Sequence, residues 1–347
     1  MKKVFAVTAA LALLGLCISA QAVVIDTVPV GDPGNAGELS GAGAGGYGPD
    51  RICGSVAYAY NIGTYEVTAG QYTDFLNEVA RTDTYGLYNT NMDTAVYSYG
   101  CNIKRTGSSG SYVYSVASDW ANRPVNLVSY WDSCRFTNWL QNGQPTGLQT
   151  AATTERGVYT LDGYNGTDGH DIQRNANWKW AVTSEDEWYK AAYYKGGGAG
   201  YWDYPMQSDI PTIPSNDITN PDGGNNANFY QGGDTIGSPY YRTNVGEFEN
   251  SESAYGTFDQ GGNVWEWNEG LVHDAYRGLR GGSFNRNGDQ LLASDRDGHM
   301  TGTGGGGPTA QTYWVGFRVS EAVPEPSSII ALAGGLVGLL GMRRRRV

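Results

Sequence analysis

Three stretches of this chain carry a helix-start signal followed by an apolar stripe, and the long runs between them have neither helical nor strand period. In TAGQYTDFLNEVA, Thr68 and Gln71 are spaced as a capping box, and Tyr72, Phe75, Leu76 and Val79 fall at i, i+3, i+4 and i+7. In SYWDSCRFTNWLQNG, Ser129 is the N-cap, Phe136, Trp139 and Leu140 share a stripe, and Gly143 is the stop. In SEDEWYKAAYYKG, Ser184 and Glu187 make another capping box, Trp188, Ala191 and Ala192 share a face, and Gly196 ends the run. These stripes read as core. With 51 glycines, 25 tyrosines and 10 tryptophans among 347 residues, and only 17% charged, the rest of the chain favours turns and loops with aromatic rings packed between them.

Strand candidates are SVAYAYNIGTYEVT, WKWAV and YWVGFRV, and no internal repeat is present. Residues 50–321 are therefore expected to form one irregular, loop-rich α+β domain. Residues 23–49, Gly-rich and without period, are expected to be a flexible leading segment.

Both termini read as targeting signals. Lys2 and Lys3, an apolar run from Val4 to Ile18, and the small-x-small pattern Ala20-Gln21-Ala22 mark residues 1–22 as a secretory signal peptide, with Val23 as the first mature residue. Residues 322–347 combine Pro324-Glu325-Pro326, an apolar stretch from Ser327 to Met342, and the cations Arg343 to Arg346. That stretch spans about 24 Å as a helix, a marginal membrane crossing whose Arg cluster stays cytoplasmic. The order of parts resembles the PEP-CTERM sorting signal of Gram-negative bacteria. The resemblance implies an exosortase-type protease as partner, transient inner-membrane anchoring, and a final place in the cell envelope, at the outer surface or in the extracellular matrix.

The formal charge is -12. Loss of both signals removes Lys2, Lys3 and the four tail arginines against Glu325 alone, so the remaining domain is more acidic still. Such a surface repels phosphate backbones and attracts divalent cations, which excludes nucleic acid as a partner. Cys17 leaves with the signal peptide, so an odd number of cysteines remains and at least one thiol is unpaired. Cys53 with Cys101 is the pairing to test first, because Cys134 sits in a helical apolar pattern.

His170, His273 and His299 lack the spacing of a zinc site, and neither a G-x-S-x-G elbow nor a phosphate-binding glycine loop occurs. Asp289, Asp295 and Asp297 offer carboxylates of the kind a carbohydrate-active enzyme uses, although spacing does not fix their separation. GTFDQGGNVWEWNEG is more specific. Asp259 and Glu266 supply hard carboxylate oxygens across a glycine turn that exposes the carbonyls of Gly262 and Val264, a donor set that suits calcium.

Five segments, Tyr60–Glu78, Arg123–Gln141, Ser184–Tyr193, Gly262–Asn268 (GNVWEWN) and Leu279–Asn285 (LRGGSFN), followed by Val315–Ser320 (VGFRVS), resemble in their order the formylglycine-generating enzyme, or sulfatase-modifying factor, family. The resemblance implies a variant of the C-type lectin fold. It also implies one calcium held by Asp259, Glu266 and the carbonyls of Gly262 and Val264, and a second held by Asn228, Phe229 and Asp234. Active members oxidise a substrate cysteine to formylglycine with O2 and a copper(I) ion on two cysteine thiolates, the soft ligands copper(I) requires. Those two positions are Arg286 and Leu291 here, while the motif's Ser283 is kept. Cys134 matches a structural disulfide position whose partner is Val319 in this chain, so Cys134 is expected to be a buried free thiol. The expectation is an exported, calcium-stabilised, non-catalytic binding or structural module without copper, with an extracellular glycan or protein as ligand. The alternative is a formylglycine-generating oxidase working without the thiolate pair.

Overall fold

The helices begin where the side chains cap them. In the computed structural model, α1 spans Ala69–Val79, α2 is a short turn at Ser118–Ala121, α3 spans Tyr130–Gln141 and α4 spans Glu185–Tyr193. Thr68, Ser129 and Ser184 each close a reciprocal capping box, satisfying first-turn N–H groups that would otherwise lack partners. The structure describes residues 22–273, 275–298 and 307–324. The signal segment 1–21, the tail from Glu325 through Pro326 to Val347, and His299 lie outside the described residues.

The strands are β1 (Thr27–Val30), β2 (Glu38–Ser40), β3 (Arg51–Cys53), β4 (Tyr60–Gly63), β5 (Lys104–Thr106), β6 (Val113–Ser115), β7 (Trp180–Val182), β8 (Trp265–Val272), β9 (Tyr276–Arg280), β10 (Val315–Phe317) and β11 (Val319–Ala322). A four-stranded antiparallel sheet runs β1-β4-β11-β7, and a three-stranded sheet runs β10-β8-β9 with β10 parallel to β8. Two ribbons, β2-β3 and β5-β6, complete the described strands. The α+β, loop-rich class expected from the sequence is the one observed.

Two expectations need correction. Residues 23–49 are not a loose leading segment: β1 pairs with β4 from Thr27 against Gly63 to Val30 against Tyr60, and β2 pairs with β3. Strand pairing with distant partners satisfies this backbone, which local composition does not reveal. YWVGFRV is not one strand. It divides at Arg318, with Val315–Phe317 in one sheet and Val319–Ala322 in the other.

The main core lies between α1, α3 and both sheets. Phe75 sits with its ring centroid 5.3 Å from Phe136 and 5.2 Å from Trp139, and Phe136 meets Phe317 of β10 at 5.4 Å. Each such buried aromatic adds about 1.5–3 kcal/mol, so these contacts weld the helices to the strand that carries the site.

Cys53, Cys101 and Cys134 are all buried free thiols. The Cys53–Cys101 pairing is not formed, and the two occupy different clusters. Cys101 packs in the main core, and Cys53 packs with Trp188 and Tyr189. Cys134 has no disulfide, as expected, and Val319 shares its core.

Candidate functional site

Two loops and two strand ends meet around the GNVWEW and RGGSF segments. Asp259, Gly262 and Asn263 have φ of 60°, 94° and 57°, so the chain doubles back before β8. At Gly262 a Cβ would stand 2.3 Å from the Asn228 carbonyl, which leaves glycine as the residue that fits. The Gly262 N–H donates to the Gly281 carbonyl at 2.7 Å and the Asn263 N–H to the Asn228 carbonyl at 2.8 Å. These bonds fix the 228, 262 and 281 segments against one another.

Glu266 is fully buried on β8. Its Oε2 accepts from Arg318 Nε at 2.6 Å and Trp188 Nε1 at 2.7 Å, while Oε1 accepts from Arg318 Nη2 at 2.6 Å. Arg318 also donates to the carbonyls of Gly63 and Phe258, at 3.0 and 2.9 Å. Asp259 is partly buried and accepts from the Gly246 N–H at 2.6 Å. Burial, together with Glu266 and Glu247, pushes its carboxyl up to about 6 despite the Gly246 N–H and Arg318.

Glu66, from the β4–α1 link, is the residue that sequence reading missed. It is 2% exposed, and neither of its carboxylate oxygens has a hydrogen-bond partner among the described residues. Burial, then Asp259 and Glu266, hold its carboxyl far above the usual range, with Arg318 opposing. Three carboxylates thus lie in the field of one guanidinium, and of the three only Glu266 is bonded to it. A buried negative excess must be neutralised by protons or by a cation.

The donor chemistry fits calcium. Glu66 has unengaged hard oxygens, and Asp259 and the carbonyls of Gly262 and Val264 are of the type calcium takes. Among the described residues no three His, Cys, Asp or Glu side chains converge as a ready ligand set, so main-chain oxygens would have to complete the shell. Glu266 is engaged by Arg318 and Trp188, so its function here is to hold that guanidinium. In the sequence, Glu66 of YEVT is a single acidic residue beside a strand candidate, which reads as surface until the strand is known to be central.

At the second expected calcium segment, Asn228 is 1% exposed and its Oδ1 has no partner. Its Nδ2 donates to the Tyr241 carbonyl at 3.0 Å and to Asn263 Oδ1 at 2.9 Å. The Phe229 carbonyl accepts from Thr235 Oγ1 at 2.9 Å. Asp234 lies on the following loop, whose next residue, Thr235, closes onto the Phe229 carbonyl.

After β9, Gly281 and Gly282 turn the chain with φ of 98° and 73°. Ser283 is buried and its Oγ donates to Asn285 Oδ1 at 2.8 Å. Arg286 donates its N–H to the Ser283 carbonyl at 2.9 Å, and its guanidinium lies 5.0 Å from the ring centroid of Trp314. Leu291 is fully buried among Tyr204, Met206, Ala227 and Phe229. The two positions therefore carry a partly exposed cation and a core hydrocarbon. Neither offers a metal-binding sulfur.

Beside them a cavity of about 380 Å³ opens between Phe229, Tyr230, Asn287, Asp289 and Leu292. Near Arg286 the rings of Tyr99, Tyr241 and Tyr313 cluster, with Tyr99 4.5 Å from Tyr241 and 4.7 Å from Tyr313, all half-buried. Asp295 is buried with one oxygen unpartnered, Asp289 is exposed, and Asp297 receives the Gly298 N–H at 2.7 Å.

The profile of the sulfatase-modifying factor enzyme 1-like domain matches residues 54–323. The chain belongs to this family. The PEP-CTERM protein-sorting motif matches residues 322–346, so the sulfatase-modifying factor-like domain carries a signal for export through the membrane, for processing by an exosortase and for a place at the cell surface or envelope. No curated protein matches the chain in sequence. Among solved structures, CarF is similar with a TM-score of 0.52 and 21% identity, over 87% of this chain and 100% of that one. Treponema denticola variable protein 1 is similar with a TM-score of 0.52 and 18% identity, over 87% of this chain and 97% of that one. At these identities the likeness concerns the fold, which is the lectin-like variant expected from the sequence.

Proposed function

We propose that this sulfatase-modifying factor-like domain is a non-catalytic, calcium-stabilised binding module, exported by its N-terminal signal and held in the outer envelope or extracellular matrix after exosortase processing. What carries the reading is the fate of the two positions at which active members hold copper(I): Leu291 is sealed in a hydrocarbon cluster and Arg286 lies over Trp314. A guanidinium and an isobutyl group cannot replace two thiolates. What remains on that face is a cation, the amide of Asn285 and half-buried tyrosine rings, which suit a polar ligand with flat apolar faces such as a sugar ring.

Calcium in this reading holds the loops rather than taking part in chemistry. Glu66 and Asp259 would ligate it, with the Gly262 and Val264 carbonyls; it would supply the positive charge that the buried carboxylates lack. Arg318 and Trp188 keep Glu266 fixed beneath.

The test pairs two assays on the purified exported protein. Copper(I)-loaded chain incubated with a Cys-x-Pro-x-Arg peptide is expected to leave the peptide mass unchanged, and a glycan array in calcium is expected to show binding that Arg286→Ala weakens. Loss of thiol mass would overturn the non-catalytic reading.

A further inference from the structure

Val23 is held at its first backbone groups. Val23 is buried in the main core, its N–H donates to Gln144 Oε1 at 2.7 Å, and its carbonyl accepts from Gln144 Nε2 at 2.8 Å. The next carbonyl, of Val24, accepts from Gln71 Nε2 at 2.9 Å, and β1 follows at Thr27. Ala22 is exposed. Val23 is thus the first buried residue among those described, although Val24 after it is exposed, and the Ala20-Gln21-Ala22 pattern places signal-peptide cleavage just before it.

A cavity of about 620 Å³ opens at this point, lined in part by Ala22, Val23, Asp74, Glu78, Trp139 and Gln144. Asp74 and Glu78 are four residues apart on α1 and so share one face. Among the described residues no Lys, Arg or His lines the cavity. Asp74 is exposed and makes no hydrogen bond or ion pair among the described residues; the partial burial of its carboxyl, then Glu78, raise it above the usual range. Glu78 accepts from Thr146 Oγ1 and has no cationic partner among the described residues.

We propose that this cavity is the receptor for the α-ammonium group that cleavage creates on Val23, with Gln144, Asp74 and Glu78 as its acceptors. Hydrolysis of the Ala22–Val23 bond adds water, releases the signal peptide with Ala22 as its carboxylate, and leaves Val23 as an ammonium. One neutral N–H becomes three donors carrying a positive charge, in a cavity lined by two carboxylates that have no counter-ion among the described residues. Cleavage therefore both frees the domain and tightens the seam that joins β1, α1 and the end of α3. The proposal rests on reading residues 1–22 as a cleaved signal.

The experiment uses the exported full chain. N-terminal sequencing is expected to begin at Val23. A variant with Gly-Ser inserted between Ala22 and Val23, so that the amine is displaced after cleavage, is expected to melt several degrees lower at pH 7. The difference should shrink in an Asp74→Asn/Glu78→Gln background. It should also fade as pH rises through the amine's raised pKa, since a group whose folded pKa exceeds its unfolded value of about 8 stabilises only below it. The α-amine of the unaltered processed chain, titrated directly by NMR, should have a pKa above about 8. A first residue other than Val23 sinks the cleavage reading. Equal melting of inserted and unaltered chains, or an ordinary amine pKa with Val23 first, sinks the receptor alone. If the inserted variant does not fold, the amine titration decides.

Discussion

Arg318 and Glu266 form a fully buried two-point ion pair, with Nε to Oε2 and Nη2 to Oε1 both at 2.6 Å. The pair joins β8 to the link between β10 and β11, where the chain passes from one sheet to the other. Glu266→Gln leaves the guanidinium without its counter-charge and is expected to cost about 3–5 kcal/mol. Urea unfolding in a chelator measures it, and a loss below about 1 kcal/mol would contradict the role given to this pair.

The thiols give a second prediction. Cys53, Cys101 and Cys134 are free and buried, so the native exported chain is expected to react with Ellman's reagent at none of them and at all three in denaturant. Its melting temperature should not change with reductant. A count of one in denaturant would restore the Cys53–Cys101 bridge.

Leu291 and Arg286 should separate stability from binding. Leu291→Ala removes buried hydrocarbon and is expected to cost about 2–5 kcal/mol. Arg286→Ala, at a partly exposed position, is expected to change stability by less than about 1 kcal/mol while weakening ligand binding. Equal stability effects in chemical denaturation would show that the two positions do not divide in this way.

Asp295 predicts a pH effect. Burial, with Asp297 and Asp289 adding and Arg280 opposing, pushes its carboxyl up to about 7. Between about pH 4 and 7 the native state holds a proton that the unfolded state has released, so this group lowers stability as pH rises. Asp295→Asn is expected to add up to about 4 kcal/mol at pH 8 and nothing at pH 4. Unfolding curves at the two pH values check the sign.

Much of this was legible in the sequence for a local reason. Thr68, Ser129 and Ser184 specify helix starts through neighbours three residues away, and the structure places the helices there. What was hidden depends on distant partners. β1 becomes a strand only because β4 lies beside it, and YWVGFRV divides at Arg318 because Glu266 draws that side chain inward. GNVWEW was read as a metal-binding turn, and the turn exists, but its second half is the start of β8. Glu66 could not be singled out, since its significance lies in having no partner, a property only packing reveals.

The most direct test of the central claim is calcium titration of the exported chain by isothermal and scanning calorimetry, alongside Glu66→Gln. A ligand that binds only the native state stabilises it in proportion to the logarithm of its concentration above Kd. Calcium is expected to bind with measurable heat and to raise the melting temperature by several degrees, and Glu66→Gln should lose most of that rise while melting no lower than the parent in chelator. No binding heat and no shift in melting temperature with calcium would contradict the account.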